Sequence, residues 1–254
     1  MKHMKNLLVA SAAEWGVSLR AAQWIFWIPI AGAAVMVLAR LDKDIYRFLL
    51  SEDGPIEWTT FACFGVACVA GAGVAIRLFK AGRKWQGALF VGLALVMFFI
   101  AGEEIAWGQR VLGLETPESL IAINKQDEIT LHNIGETLDV LNFVMMLIGA
   151  FGSVAYLLNK RIRVEQYLDQ ANYLFVPPFF LVPAFFVMFL YKFIRFTVWP
   201  KPGFTVTKYG EWAEFCLAAG LSIFTWLNYR RLVTRIEPAS TERRRPIGKS
   251  RVDE

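Results

Sequence analysis

Glu128, His132 and Glu136 recur at i, i+4 and i+8 in the stretch QDEITLHNIGETLD, a spacing that would stack all three on one stripe of a helix, one turn apart. A carboxylate, an imidazole and a second carboxylate presented in this way could ligate a metal at one point or pass a proton along the helix. His132 is the only histidine besides His3, and its unperturbed pKa suits acid/base work near neutrality. Asn133 follows it directly, and Thr130 lies on a neighbouring face. Upstream, Gly102-Glu103-Glu104-Ile105-Ala106-Trp107 carries a helical pattern through two adjacent acids. Glu103 or Glu104 with Glu128, His132 and Glu136 would make a donor set for Mn, Fe or Zn, or for Mg or Ca with His132 outside the coordination shell. In an acid/base enzyme, His132, Glu104 and Glu128 would be the catalytic groups.

Three further acids stand where apolar runs begin: Glu57 before one run, and Glu211 and Glu214 before another. Too few apolar residues lie between Phe215 and Leu227 to cross roughly 30 Å of hydrocarbon. That helix must begin before Phe215 and draw Glu214 and Glu211 toward the membrane. Ionisable groups at such depth face the bundle interior and pair with something, so Glu57, Glu211 and Glu214 are candidates to line a cavity or ion path. Between the two central acid groups, Arg110 and Lys125 are the cations of an otherwise acidic loop. Arg110 could neutralise Glu103 or Glu104, or clamp a phosphate or carboxylate with Trp107 and Gln109 flanking it.

What must hold these residues is a set of membrane helices. Hydrophobic residues make up 56% of the 254-residue chain and mean hydropathy is +0.42, outside the soluble range. Six apolar runs approach the length a transmembrane helix needs, near 22–39, 58–76, 86–101, 140–158, 172–191 and 212–228. The expected fold is therefore an all-α polytopic bundle over residues 1–236, six spans in three hairpins, with a basic, disordered tail over 237–254. The first run follows a segment interrupted by Glu14 and Arg20, which suits an uncleaved first span preceded by a short amphipathic helix at the membrane surface. Pro177, Pro178 and Pro183 in the fifth run are expected to bend or open that helix. Cys63, Cys68 and Cys216 fall inside spans as small packing residues and imply no disulfide framework.

Lys and Arg are about twice as frequent on the side holding both termini as on the other, which places both termini in the cytoplasm. The acids favour the opposite side. The net charge of +5 and pI of 9.2 thus combine a basic inner face with an acidic outer one. The basic residues flank spans, where anionic lipid headgroups are the natural partner, and nucleic acid is not expected. Glu57-Trp58 to Phe61 and Glu211-Trp212 to Phe215 share the pattern E-W-x-x-F, which either traces an internal repeat or reflects the preference of Trp for a span entrance.

The segment from Gly102-Glu-Glu-Ile-Ala-Trp-Gly-Gln-Arg110 through Glu115-Thr-Pro117 to Leu131-His132-Asn133 resembles one found in uncharacterised bacterial inner-membrane proteins. The resemblance implies a multi-pass protein of the bacterial inner membrane and directs attention to the central hairpin; it brings no activity with it. No phosphate-binding loop, nucleophile elbow, dinucleotide fingerprint or Cys/His zinc pattern is present, and the histidines of the multi-histidine membrane hydrolases and desaturases are missing.

Three functions remain open at this level. The first is a metal-dependent or acid/base enzyme acting on a lipid or lipid-linked substrate, with a divalent metal as its cofactor. The second is a cation- or proton-coupled transporter using Glu214 and the 128–136 stripe. The third is an accessory membrane subunit in which the acids form only a solvated collar.

Overall fold

The computed structural model describes residues 2–51, 53–118, 129–130, 135–162, 174–200 and 203–236. All regular structure among these residues is helical. In chain order the helices are α1 (Lys2–Glu14), α2 (Leu19–Ala39), α3 (Lys43–Leu50), α4 (Pro55–Lys80), α5 (Lys84–Glu104), α6 (Gln109–Leu112), α7 (Gly135–Ile162), α8 (Val182–Thr197) and α9 (Phe204–Ile236). One-turn 3-10 segments cover Ala106–Gly108 and Phe179–Leu181.

Five segments are long and apolar enough to cross a bilayer: α2, the run ending in α4, α5, Val140–Arg161 within α7, and Phe179–Thr197 including α8. Fewer than half of the residues in each are buried, as expected of helices whose outer faces meet lipid. The last expected run, 212–228, lies within α9, which at 33 residues is long enough to cross but more polar than these. Its position explains its composition. α9 packs extensively on α4, then on α8, and touches α2 and α3. A helix enclosed by neighbours can carry Glu, Thr and Asn that a lipid-facing helix could not. Thr225 donates to the carbonyl of Leu221, and fully buried Asn228 donates to that of Leu174.

Local sequence sets the helix ends. Ser18 caps α2 by accepting from the Ala21 N–H, Asp42 caps α3 by accepting from Asp44 and Ile45, and Pro55 opens α4 where no N–H is needed. Gly82, at φ +74°, makes the tight reversal from α4 to α5. Small residues then permit close helix contact. A Cβ on Gly152 would fall 2.2 Å from the Phe185 ring, and one on Gly149 would fall 2.8 Å from the backbone of Phe189, so α7 and α8 meet almost backbone to backbone.

The proline expectation needs correction. The spanning helix begins only at Phe179; Leu174 and Phe175 are in 3-10 conformation, and Val176–Pro178 lead into the helix without helical structure. Pro177 and Pro178 precede the helix, and Pro183 sits in the first turn of α8, where its missing donor has no intrahelical acceptor to serve. The prolines therefore define a helix start rather than a bend. The non-helical stretch is covered by protein: Ser11 of α1 accepts from the buried Phe179 N–H at 2.9 Å, and Phe179 packs against Phe26 and Tyr156.

The C-terminal part of α9 gathers the basic residues. Arg230 donates to the carbonyls of Trp15 and Gly16 at 3.0 and 2.7 Å, Arg231 lies over the Trp15 ring, and Arg77 lies over Tyr229. The N-terminal part of α9 gathers the acids.

Candidate functional site

Glu104 is the last residue of α5, and the turn that follows fixes it there. Ala106, Trp107 and Gly108 all have positive φ, at +46°, +54° and +78°. Two non-glycine residues in the left-handed region cost of order 1–3 kcal/mol each, so surrounding contacts must impose the turn. Trp107 supplies them. Its Nε1 donates to Glu103 Oε1 at 2.7 Å, its ring meets Phe98 and Phe99 edge-on, and it lies so close to Gly102 that a Cβ there would come within 2.8 Å of the ring. Adjacent acids are thereby divided: Glu103 is buried and engaged by Trp107, whereas Glu104 turns toward α9.

Glu211 and Glu214 lie three residues apart on α9 and share a face. Four tyrosine contacts hold this first part of the helix. Tyr46 of α3 donates to Thr205 O at 2.6 Å, Tyr191 of α8 donates to Val206 O and Thr207 O, and Tyr209 donates to Ala33 O of α2. Trp212 Nε1 donates to Pro29 O, with Gly32 leaving room for its ring. So anchored, α9 brings one carboxylate oxygen each from Glu211 and Glu214 to within 4.8 Å of one from Glu104. Glu57, in the first turn of α4, is in electrostatic reach of Glu104 and Glu211, and its carboxylate accepts from the Asp53 N–H.

Lys192 of α8 provides the counter-charge. Only 5% of this residue is exposed. Its Nζ donates to Glu214 Oε1 at 2.8 Å and to Asn142 Oδ1 of α7 at 2.6 Å, so it joins α7, α8 and α9. Lys208 lies 3.7 Å from Glu211 on the same helix, a longer and more exposed pair. Repulsion between two ionised carboxylates at 4.8 Å amounts to roughly 3.5 kcal/mol at an effective dielectric of about 20. Among the described residues, Lys192 and Lys208 are set against the three converging carboxylates of Glu104, Glu211 and Glu214. The arrangement favours whatever adds positive charge, whether protons or a cation with a taste for hard oxygen ligands.

Of the residues singled out by sequence, Glu104, Glu211 and Glu214 converge, and Glu57 lies close by. Trp107 and Gln109 use their polar atoms internally. Gln109 donates to Thr116 Oγ1 at 2.7 Å and accepts from the Ile129 N–H at 2.6 Å, so it staples the loop. Glu128, His132 and Lys125, and the side chains of Arg110 and Glu136, lie outside the described residues. The two E-W-x-x-F segments differ in setting: Trp212 is buried against α2, and Trp58 is exposed. Cys63 and Cys68 are half-buried, Cys216 is buried, and all three are free.

Lys192 and Asn142 escaped the sequence reading. Asn142 lies within an apolar run and Lys192 directly follows one, and a search for the partner that a polar residue at such a position requires would have selected both. Comparison of the chain with family models, with curated proteins and with solved structures returned no match.

Proposed function

We propose that this chain is a six-span protein of the bacterial inner membrane whose acidic end faces the periplasm. There it holds a divalent cation between Glu104, Glu211 and Glu214 and performs metal-dependent or acid/base chemistry on a lipid or lipid-linked substrate. The observation that carries this reading is the convergence of three carboxylates from two helices beside a single buried lysine. Oxygen-only donors of this kind suit Mg, Ca or Mn. A cation would relieve the excess negative charge and polarise a phosphate or carbonyl oxygen of the substrate. His132 and Glu128, on the chain between α6 and α7, are the residues assigned to proton transfer, and Arg110 is assigned to an anionic headgroup. A site near headgroup depth is best reached by a lipid-borne substrate.

A second reading, cation- or proton-coupled transport, is favoured by Lys192 itself. A buried ammonium shared between Asn142 and Glu214 across three helices could exchange places with an incoming cation.

Metal content of the detergent-purified protein, measured by mass spectrometry beside Glu104→Gln and Glu211→Gln with size exclusion as the folding check, decides the first point. Stoichiometric metal in wild type, lost from both variants, is the expected result. A wild type that stays metal-free after incubation with Mg, Ca, Mn, Fe and Zn rules the cation site out. Ion flux in proteoliposomes that Glu214→Gln abolishes would then establish transport.

A further inference from the structure

Beyond the end of α5 the chain is built inside out. Leu95 and Phe98 are exposed apolar residues of a candidate membrane span, and Trp107 continues their surface past the helix terminus by resting edge-on against Phe98, 5.9 Å between ring centres. One turn later, Val111 and Leu112 are 66% and 68% exposed. Among the described side chains of the same turn, the polar one, Gln109, is buried and uses both ends of its amide on Thr116 and Ile129. Gly108 and Gly113, both left-handed, bracket α6 and fix the direction of its apolar side. A loop in water does the reverse, turning polar groups outward and leucines in.

We infer that the Gln109–Leu114 segment is seated in the lipid leaflet at the acidic end of the bundle, with Trp107 at the interface and Val111 and Leu112 among the acyl chains. Its partner is a lipid surface because the apolar patch runs on from the lipid-facing side of α5 through Trp107. A second copy of the chain would bring a separate patch with no such continuity. The inference does not depend on the proposed cation chemistry. It would hold for an enzyme, a transporter or an accessory subunit alike.

The test uses the full chain in phosphatidylcholine proteoliposomes, with Cys63, Cys68 and Cys216 replaced by alanine and the fold checked by size exclusion. An environment-sensitive nitrobenzoxadiazole label is placed on Leu112→Cys, and in a second variant on Val111→Cys, so that failure of one to fold leaves the other readable. Leu95→Cys in the middle of α5 serves as the lipid reference and Lys84→Cys as the aqueous one. Phospholipid brominated near the headgroup end of its chains is expected to quench the label at 112 or 111 at least about twofold more than at Lys84→Cys, and more than chain-end bromination does. Quenching no greater than at Lys84→Cys, with aqueous iodide quenching instead, overturns the inference. So does cross-linking of 112 to 112 between copies with the label shielded from both quenchers.

Discussion

An ammonium held 2.8 Å from Glu214 and 2.6 Å from Asn142 is costly to remove. Lys192→Met keeps the volume and deletes the charge, leaving a mostly buried carboxylate beside Glu104 and Glu211 without its closest neutralising group. Fully buried pairs lose about 3–5 kcal/mol on such a truncation, and the Glu214 side chain at 23% exposure softens this to about 1–3 kcal/mol. Thermal unfolding in detergent should therefore show Lys192→Met well below wild type. The double variant Lys192→Met with Glu214→Gln should recover part of the loss, because it removes the orphaned charge as well. If the single and double variants melt alike, Lys192 does not neutralise the acids. Gly102→Ala probes the same site from α5. Its methyl would need the space of the Trp107 ring, so the Glu103 bond should break and the tryptophan emission shift to the red. An unchanged spectrum would mean that the turn holds Glu104 by other means.

The helices themselves show what sequence can and cannot convey. A bilayer imposes length, so α2, α4, α5 and α7 cover the apolar runs expected for them, with ends that coincide or extend by up to five residues. The fifth run was misplaced at its start because an apolar stretch packed against protein has the same composition as a helix and no period to distinguish it. Leu174–Pro178 is such a stretch, and its prolines act as punctuation. Glu104, Glu211 and Glu214 could each be singled out individually from the sequence, but their meeting could not, since nothing in one chain's pattern says which helix α9 packs upon. Lys192 lay one position past the expected end of its span, where a cation looks like an ordinary flanking charge. The cover over the non-helical stretch yields its own test. Ser11→Ala would leave the buried Phe179 N–H without its acceptor, and Asn228→Leu would leave the Leu174 carbonyl without its donor. Each should cost about 1–3 kcal/mol, read as a lowered melting temperature with the oligomeric state unchanged. No shift in either variant would show that this stretch is hydrated instead of sealed.

At the scale of the molecule, the acids and the bases occupy opposite ends of α9, and that polarity fixes how the bundle must lie if α9 crosses the membrane. Glu211 and Glu214 stand near its start with Lys192, while Arg230 and Arg231 near its finish bind the α1–α2 junction. Thirty-three residues of helix extend about 50 Å, more than the hydrocarbon requires, so length is no obstacle. Composition is the obstacle, and enclosure by α4 and α8 removes it. Single cysteines at Lys43, Lys84, Gly203 and Thr234, introduced after replacement of the three native ones, can be labelled in intact cells with a membrane-impermeant maleimide. A crossing α9 puts Lys43→Cys and Gly203→Cys on one side and Lys84→Cys and Thr234→Cys on the other. Retention of cations on the cytoplasmic side predicts that the first pair is labelled from outside and the second only after lysis. Thr234→Cys labelled together with Gly203→Cys would mean that α9 enters and leaves by the same face, giving five crossings. The acidic trio would then be held by a helix that does not span, and a path for ions through the bundle would lose its last wall.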